Sequence, residues 1–484
     1  MHKIPSLSWL GSAQPAGSVR GGRPRREFLR MGLTGFSGLT LSQLYQLRAQ
    51  ADSPPLRPRS AVIMVWLRGG ASHLETFDPK QQAPSEFRGP YQAIATNVPG
   101  IHISELLPRL ATIADKYAIL RSMSHTGGGH PAGSLQLLSG DTDVADKPRP
   151  TLPDWMSVAH FLRSERRGGL PNYVAVNAVD RYDNFTIAGP AYLGPSYEPF
   201  KVTGNPNEPI FEVPGLRIDE RVRRERFLMR SDLRKQLDSI RSDIDVAGAM
   251  AAFDASHVQS MNLLTSPQAC DAFDVSKEPD SIRERYGRNQ WGQQCLMARR
   301  LVEAGVEIIT TEFDGPLCGR VGNWDDHAVN QNVFDAMKFR APILDQAISA
   351  LIEDIYSRGL DRHVLLVVAG EFGRSPRISY GASSGAGQAS SPAGTIQPGR
   401  DHWPRANSML FAGGGIQTGQ VIGATDTRGE EPVERLVGPG DFLATIYRHL
   451  GIDFSRTMLV TREGRPTSIV NNGRPIDELA RAVG

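Results

Sequence analysis

"VVAGEFGRSPR", residues 367–377, begins as a buried β-strand and becomes polar within a few residues. Its apolar residues stand at consecutive positions, which is typical of a strand that is covered on both faces, as in a parallel sheet. The strand then ends at Glu371, with Arg374 and Arg377 just behind it. A carboxylate at the end of a core strand needs a partner, which can be a metal ion or a buried arginine.

Three further segments have the same continuous apolarity, namely "AVIMVWL" (61–67), "VEIITTEF" (306–313) and "NSMLFAG" (407–413). Between these strands, "QWGQQCLMARRLVEAG" (about 291–306) and "PILDQAISALIEDIYSRG" (342–359) are predicted helices, the second with its apolar residues on one face. Strands that alternate with helices predict an α/β fold, a three-layer sandwich with a mostly parallel central sheet.

The N-terminal segment differs from the rest of the chain. Arg25 and Arg26 precede a mildly apolar stretch that ends in an A-x-A-like site at 49–51. These are the features of a twin-arginine signal peptide, and a disordered basic tail is the alternative. We therefore expect residues 1–51 to direct export, and the protein to be periplasmic or extracellular.

Residues 52–484 are predicted to form the α/β domain. A charged, helical insertion is expected at about 215–265, and a low-complexity surface loop at about 381–394. No apolar run other than the export signal is long enough to cross a bilayer.

The charge and the cysteines exclude several classes of protein. The formal net charge is +2, and removal of residues 1–51 leaves −4 without a basic cluster, so no electrostatic footprint for nucleic acid is present. The three cysteines, Cys270, Cys295 and Cys318, are too widely spaced for a disulfide framework or a zinc finger.

Polar residues collect where the predicted strands end. "RGGASHLETFDPK" follows the first strand, "DGPLCGRVGNWDDH" the second and "EFGR" the third, while "GRDHWPRAN" precedes the fourth. Because ligands bind at the carboxyl edge of an open α/β sheet, the imidazoles and carboxylates there are candidate ligands of zinc, manganese or calcium. The candidate metal ligands are His73, Asp325, His327, Glu371, Asp401 and His402.

Each of these residues also has a structural interpretation. Asp325 could cap a helix that begins in "DDHAVNQNVF", and His73 could bind the backbone of its glycine-rich loop. Glu371 could form a buried ion pair with Arg374 or Arg377.

A second cluster is "SMSHTGGGHPAGSLQLLSG" (122–140), in which His125 and His130 flank three glycines before a predicted helix. Glycines allow a close approach of the backbone, and a helix start offers free N–H groups. The segment therefore favours the binding of an anion.

Four elements, "GGASHLETFDPK", "WDDH", "GEFGRSP" and "GRDHW", occur in an order that resembles the alkaline phosphatase superfamily. Most similar is its uncharacterised, sulfatase-like bacterial family of exported proteins, a domain of unknown function. The resemblance covers about residues 60–455 and implies an alkaline-phosphatase-like fold.

The resemblance also implies roles for individual residues. Glu371 corresponds to a metal-binding carboxylate, Asp325 and His327 to a ligand pair, and His402 to a later ligand. Arg374 would neutralise the substrate or hold the carboxylate, and His130 lies where relatives have the nucleophile.

Two departures from the superfamily pattern stand out. The first strand of relatives commonly ends in a metal-binding aspartate, whereas this one runs Arg68-Gly69-Gly70. No cysteine is followed by the x-P-S-R of formylglycine sulfatases, and no serine or threonine nucleophile is evident.

These observations predict an exported metal-dependent hydrolase of phosphate or sulfate esters, with a small molecule or a glycan ester as substrate. Activated water would be the nucleophile, and His130 or His125 the general acid or base. Two alternatives stay open. One is an inactive binding protein on the same scaffold that recognises an anionic glycan or an envelope partner, and the other is a set of purely structural networks.

Overall fold

The structure, a computed structural model, describes residues 59–164, 170–213, 267–315, 322–386 and 389–481. The predicted signal peptide at 1–51 and the predicted insertion at about 215–265 lie outside these residues. Within the described ranges, no helix is long and apolar enough to cross a membrane.

Eight strands form the central sheet. In chain order they are β1 (Ala61–Trp66), β2 (Tyr117–Met123), β3 (Tyr173–Val176), β4 (Phe200–Val202), β5 (Ile308–Glu312), β6 (Val364–Ala369), β7 (Asn407–Gly413) and β8 (Gln420–Ile422). Their order across the sheet is β8-β2-β7-β6-β1-β5-β3-β4. Only β7 runs antiparallel to its neighbours, β6 and β2.

The helices of the described residues cover both faces of the sheet. They are α1 (Ser85–Arg88), α2 (Pro108–Ala111), α3 (His130–Ser139), α4 (Trp155–Leu162), α5 (Pro267–Phe273), α6 (Asp280–Tyr286), α7 (Gln290–Glu303), α8 (Val333–Ser357) and α9 (Pro439–His449). Residues of α2, α7 and α8 belong to one hydrophobic core, and residues of α3, α4 and α9 to the other.

Strand β1 shows why the apolar runs are continuous. Ile63 and Val65 belong to one core, whereas Val62, Met64 and Trp66 belong to the other, and all six residues of β1 are buried. Alternate side chains of a strand point to opposite faces, so a sheet with helices on both sides needs apolar residues at every position. The predicted three-layer α/β sandwich is confirmed.

Short antiparallel hairpins extend from the sheet. They pair Ala93–Ala95 with His102–Ser104, Arg181–Tyr182 with Phe185–Thr186, Gly373–Arg374 with His402–Trp403, Ser379–Ala382 with Ile396–Gly399, Ala424–Thr425 with Pro432–Glu434, and Met458–Val460 with Pro466–Ser468. The low-complexity segment predicted at about 381–394 connects the two strands of the fourth hairpin.

The reversed direction of β7 determines the chemistry at the sheet edge. Its amino end lies beside the carboxyl end of β6, as the pairing of Leu410 with Val368 and of Gly413 with Leu365 shows. Residues that precede β7 therefore meet residues that follow the parallel strands. The sequence pattern indicated a buried strand at 407–413 but could not give its direction.

The segment before α8 is fixed by a buried ion pair. Arg340 of α8 donates to the carboxylate of Asp326 and to the carbonyl of Asn323, and both charged side chains are fully buried. Helix α8 starts later than "DDHAVNQNVF" suggested, because the side chain of Asn332 accepts the N–H groups of Phe334 and Asp335 and caps it. Asp325 is therefore free of a capping role.

Replacement of Arg340 by methionine is expected to lower the free energy of unfolding by about 3–5 kcal/mol, because it leaves the carboxylate of Asp326 buried without its partner. Urea denaturation measures the change. The matched control is Arg448→Met, which breaks the exposed pair with Asp477 and should cost less than about 1 kcal/mol. Equal effects in the two variants would contradict the assigned importance of the buried pair.

Candidate metal centre

Three histidines surround one carboxylate oxygen at the carboxyl edge of the sheet. His130 begins α3, Asp325 and His327 lie between β5 and α8, and His402 precedes β7. The Oδ1 atom of Asp325 lies 3.3 Å from Nε2 of His130, 3.1 Å from Nε2 of His327 and 3.3 Å from Nε2 of His402. The Nε2 atoms of His327 and His402 are 2.9 Å apart.

The second nitrogen of each ring faces an acceptor of its own. Nδ1 of His130 lies 2.7 Å from Oε1 of Glu371, and Nδ1 of His327 lies 2.8 Å from Oδ1 of Asp401. Nδ1 of His402 lies 2.9 Å from the carbonyl oxygen of Gly128. These acceptors require a proton on each Nδ1, so in the neutral rings each Nε2 presents a lone pair to the centre of the cluster. Metal-binding histidines are commonly oriented in this way.

The separations fit a small tetrahedral cation. Donor atoms at about 2.0–2.1 Å from zinc in a tetrahedral site lie roughly 3.3–3.4 Å apart. The ligand atoms of His130, Asp325 and His402 lie within 4.8 Å of one another, and Nε2 of His130 is buried without a hydrogen-bond partner. His130, Asp325 and His402 therefore form the group that could hold a metal ion, and His327, with Nε2 2.9 Å from Nε2 of His402, is the candidate fourth ligand.

Glu371, predicted as a metal ligand, lies behind His130. Its side chain has no exposed surface, and Oε1 accepts the N–H of Gly69 at 2.8 Å while it faces His130. It forms no ion pair with Arg374 or Arg377 among the described residues. Glu371 thus stands two residues beyond the end of β6, where its carboxylate orients an imidazole of the cluster.

Arg374 is wholly buried and anchors Asp325. Its guanidinium donates to the carbonyls of Gly69, Gly70 and Arg400 and to Oδ1 of Asp325, the last at 2.7 Å. Arg374 was expected to neutralise the substrate or to hold the carboxylate of Glu371, and the carboxylate that it holds is that of Asp325 instead. With no exposed surface, the side chain cannot reach a substrate.

A close backbone approach at Gly69 completes this support. Gly69 has φ of +100°, and a Cβ there would lie 2.6 Å from the backbone nitrogen of Asp325. Only glycine allows both the backbone conformation and the contact. The "RGG" that replaces the aspartate of relatives therefore serves to bring the Asp325 segment against the end of β1.

Two predicted histidines lie outside the cluster. The Nε2 atom of His125 lies 2.6 Å from the carbonyl oxygen of Glu371 and its Nδ1 accepts the N–H of Gly127, so both nitrogens hold the loop rather than a substrate. His73 is buried with Nε2 against the carbonyl of Gly429. Burial lowers the pKa of both imidazoles.

The start of α3 does not present free N–H groups to an external anion as expected. Oδ1 of Asp146 accepts the N–H of Ala132 at 3.0 Å, and the carboxylate lies against Gly129. The chain's own carboxylate thus occupies the helix terminus.

Aromatic and basic residues that the sequence did not single out enclose His130. The ring of Tyr182 stacks on His130 with centroids 3.8 Å apart and an interplanar angle of 11°. The guanidinium of Arg68 lies 4.5 Å from the other face of Tyr182 and pairs with Asp314 at 3.0 Å. No periodicity or spacing identifies Tyr182, because its contact with His130 joins residues that are far apart in the chain.

The electrostatics of the cluster follow from these contacts. Burial favours a neutral Asp325, but the interactions with the three imidazoles and the charge of Arg374 hold its pKa far below the usual range. Burial likewise opposes a charge on His130 and His327, yet the interactions with Asp325 raise the pKa of both rings. A metal ion must therefore compete with protons for these nitrogens, so metal affinity should fall as the pH is lowered.

The sequence and the fold have known counterparts. The family model described as a protein of unknown function (DUF1501) matches residues 59–480. No curated protein matches the chain.

Solved structures resemble the chain at low identity. The PsFucS1 sulfatase from Pseudoalteromonas sp. is 13% identical with a TM-score of 0.35, over 90% of this chain and 73% of its own. The phosphonate monoester hydrolase of Agrobacterium radiobacter is 12% identical with a TM-score of 0.35, over 88% and 78%. A protein in the alkaline phosphatase superfamily from Vibrio parahaemolyticus is 11% identical with a TM-score of 0.35, over 82% and 67%. Likenesses at this level carry no weight on activity, which has to be inferred from the site.

We expect the purified protein to bind close to one equivalent of zinc or manganese, measured by elemental analysis after dialysis. His402→Ala removes a ring from the centre and should abolish stoichiometric binding. Asp401→Asn removes only the charge that faces Nδ1 of His327, and should weaken the affinity by about 10- to 100-fold.

The matched control is His102→Ala, which removes an exposed histidine on a hairpin away from the centre. It should leave the metal content unchanged. A His402→Ala protein that retains a full equivalent of metal would exclude this cluster as the binding site.

Proposed function

The chain belongs to the DUF1501 family of proteins of unknown function, and we propose that it is a metal-dependent hydrolase of phosphate or sulfate esters. The observation that carries the proposal is the convergence of three imidazole Nε2 atoms on Oδ1 of Asp325, each ring held from behind by its own acceptor. The ordered resemblance to the alkaline phosphatase superfamily supports the ester class.

When bound, a divalent metal would supply a Lewis acid for an ester oxygen and would lower the pKa of a coordinated water. The protein's contribution is to hold the four ligating side chains without rearrangement. Glu371, Asp401 and the carbonyl of Gly128 keep the rings in one orientation, and Arg374 prevents Asp325 from rotating away. Such preorganisation avoids reorganisation of the site during the reaction.

The approach of a substrate is set by the burial of these groups. The side chain of Asp401 is 58% exposed and that of His327 is 25% exposed, whereas Glu371 is inaccessible. The cluster is therefore open on the side of His327 and Asp401 and closed behind His130. Phe372 packs against His402 at 4.5 Å and forms an apolar wall beside the ligating nitrogens.

A water molecule is the proposed nucleophile. In the part of the chain that the structure describes, no serine, threonine or cysteine side chain hydrogen-bonds to the side chains of His130, Asp325, His327 or His402. This agrees with the lack of a nucleophile signature in the sequence. His130 and His125 were predicted as acid–base groups. In this scheme His130 is instead a metal ligand, and His125 supports the loop.

Metal-loaded protein should hydrolyse at least one chromogenic monoester or diester among p-nitrophenyl phosphate, bis-p-nitrophenyl phosphate and p-nitrophenyl sulfate. Asp325→Asn and His402→Ala should lower kcat/KM by at least 100-fold, because they remove ligands that hold the proposed metal. His102→Ala should retain full activity. Metal-loaded protein that turns over none of these esters but binds them would favour the inactive binding scaffold instead.

We also propose export by the twin-arginine route, supported by Arg25 and Arg26 ahead of the apolar stretch and the small residues at 49–51. In cell fractionation, Arg25→Lys/Arg26→Lys should leave the full-length chain in the cytoplasm. The control Arg20→Lys/Arg23→Lys changes two arginines outside the pair and should be exported normally. Export of both variants alike would contradict the proposal.

A further inference from the structure

A cavity separate from the candidate metal centre lies at the same end of the sheet, beyond the carboxyl end of β3. Its volume is about 420 Å³, within the range of small-molecule sites. Residues from five separate parts of the chain line it, namely the segment 149–154, Tyr173 of β3, the stretch 178–191, the segment 194–201, and the turn at Arg462. The cavity is thus a junction of loops rather than a gap within one element.

Three arginines at this cavity have no ion-pair partner. Arg149, Arg181 and Arg462 line it and are exposed, and none of them forms a salt bridge with a described residue. Many other arginines of the described chain are paired, among them Arg299 and Arg358. These three exposed guanidiniums come from distant segments and form no ion pair within 4.0 Å among the described residues, so they can contact a ligand.

The other charged groups of the lining have partners within the protein. Lys201 pairs with Asp180 at 2.7 Å and with Glu198 at 3.7 Å, so these carboxylates are committed to the lysine. Asp154 is buried and accepts the N–H of Ser157, which caps α4. Together the four basic side chains of the lining outnumber its three carboxylates by one, so the lining has a formal net charge of +1.

The hairpin of Arg181–Tyr182 and Phe185–Thr186 is shared with the candidate metal centre. Successive side chains on a strand point to opposite faces. Tyr182 stacks on His130, while Arg181 and its pairing partner Thr186 line the cavity. The cavity and the metal centre thus lie on opposite faces of one two-stranded wall.

The backbone of the lining includes an uncommon conformation. Ala191 has φ of +45°, a region that L-residues with a Cβ seldom adopt. Such residues persist where the surrounding structure holds them, and they concentrate at ligand sites. Ala191 lies in the wall of the cavity, in a turn whose next residues, Tyr192 and Leu193, pack against the core.

We propose that this cavity binds an organic oxyanion of about monosaccharide size, with its carboxylate, sulfate or phosphate held by Arg149, Arg181 and Arg462. Guanidinium groups match these anions because their planar fork donates two parallel hydrogen bonds. The hydroxyl of Thr186, which also lines the cavity, can form a hydrogen bond with a hydroxyl group of the ligand. The proposal does not depend on the metal centre or on hydrolysis.

Isothermal titration calorimetry of the full chain at low salt tests the site with four probes, glucose 6-sulfate, glucose 6-phosphate, glucuronate and glucose. At least one anionic sugar should bind at least tenfold more tightly than glucose, and the affinity should fall as salt is added. The tightest of the three identifies the oxyanion. Equal binding of glucose and the anions, or no binding of any, would overturn the proposal.

Variants locate the binding. Arg181→Gln should weaken the affinity for the preferred anion by about tenfold, and Arg149→Gln/Arg181→Gln/Arg462→Gln should abolish it. The matched control is Arg465→Gln, an exposed arginine on the same turn as Arg462 that does not line the cavity. An equal loss in the control would mean general charge attraction and would refute the site.

His402→Ala separates this proposal from the proposed hydrolase. It should remove metal and turnover while anion binding at the cavity persists. If anion binding disappears with the metal, the anion binds at the metal centre, and the cavity is not the site.

Discussion

The position of one carboxylate oxygen determines most of this site. Oδ1 of Asp325 contacts three imidazoles and the guanidinium of Arg374, and it can do so only if its segment is held against the end of the sheet. Arg340 of α8 holds the segment by its ion pair with Asp326. The segment is also held just beyond the end of β1, where the carbonyl of Arg68 accepts the N–H of Trp324. Two buried guanidiniums thus connect the core to the cluster, and the loss of Arg340 would leave the carboxylate of Asp326 buried without its partner.

The fold was largely predictable because burial on both faces of a sheet imposes a simple pattern. Each of β1, β5 and β6 is a continuous apolar run, and no other secondary structure of that length explains such a run between helices. The direction of a strand, by contrast, does not follow from this pattern. Strand β7 is fully buried like β6, although it runs antiparallel to β6 and β2, and its reversal depends on how the chain returns to the sheet. That reversal nevertheless explains why His402, which precedes a strand, meets residues that follow strands.

The site was predictable as a set of residues but not as a geometry. Asp325, His327 and His402 were identified because polar side chains at strand ends must converge, yet spacing does not reveal which side chain faces the centre and which stands behind. Glu371 was expected to be a metal ligand but stands behind His130, whereas His130 was expected to be an acid–base group but faces the centre. The assignment depends on rotamers and on distant backbone acceptors such as Gly128, and neither leaves a trace in the local sequence.

The charges of the cluster explain how the same residues can exist with and without a bound metal ion. Asp325, Glu371 and Asp401 bring three negative charges and Arg374 one positive charge, which leaves a net charge of −2 when the histidines are neutral. One divalent cation balances that charge. Without it, protons on His130 and His327, whose pKa values the carboxylates raise, offset part of the same negative charge. Metal binding at this centre is therefore coupled to the release of protons, because the ion and the protons occupy the same imidazole nitrogens.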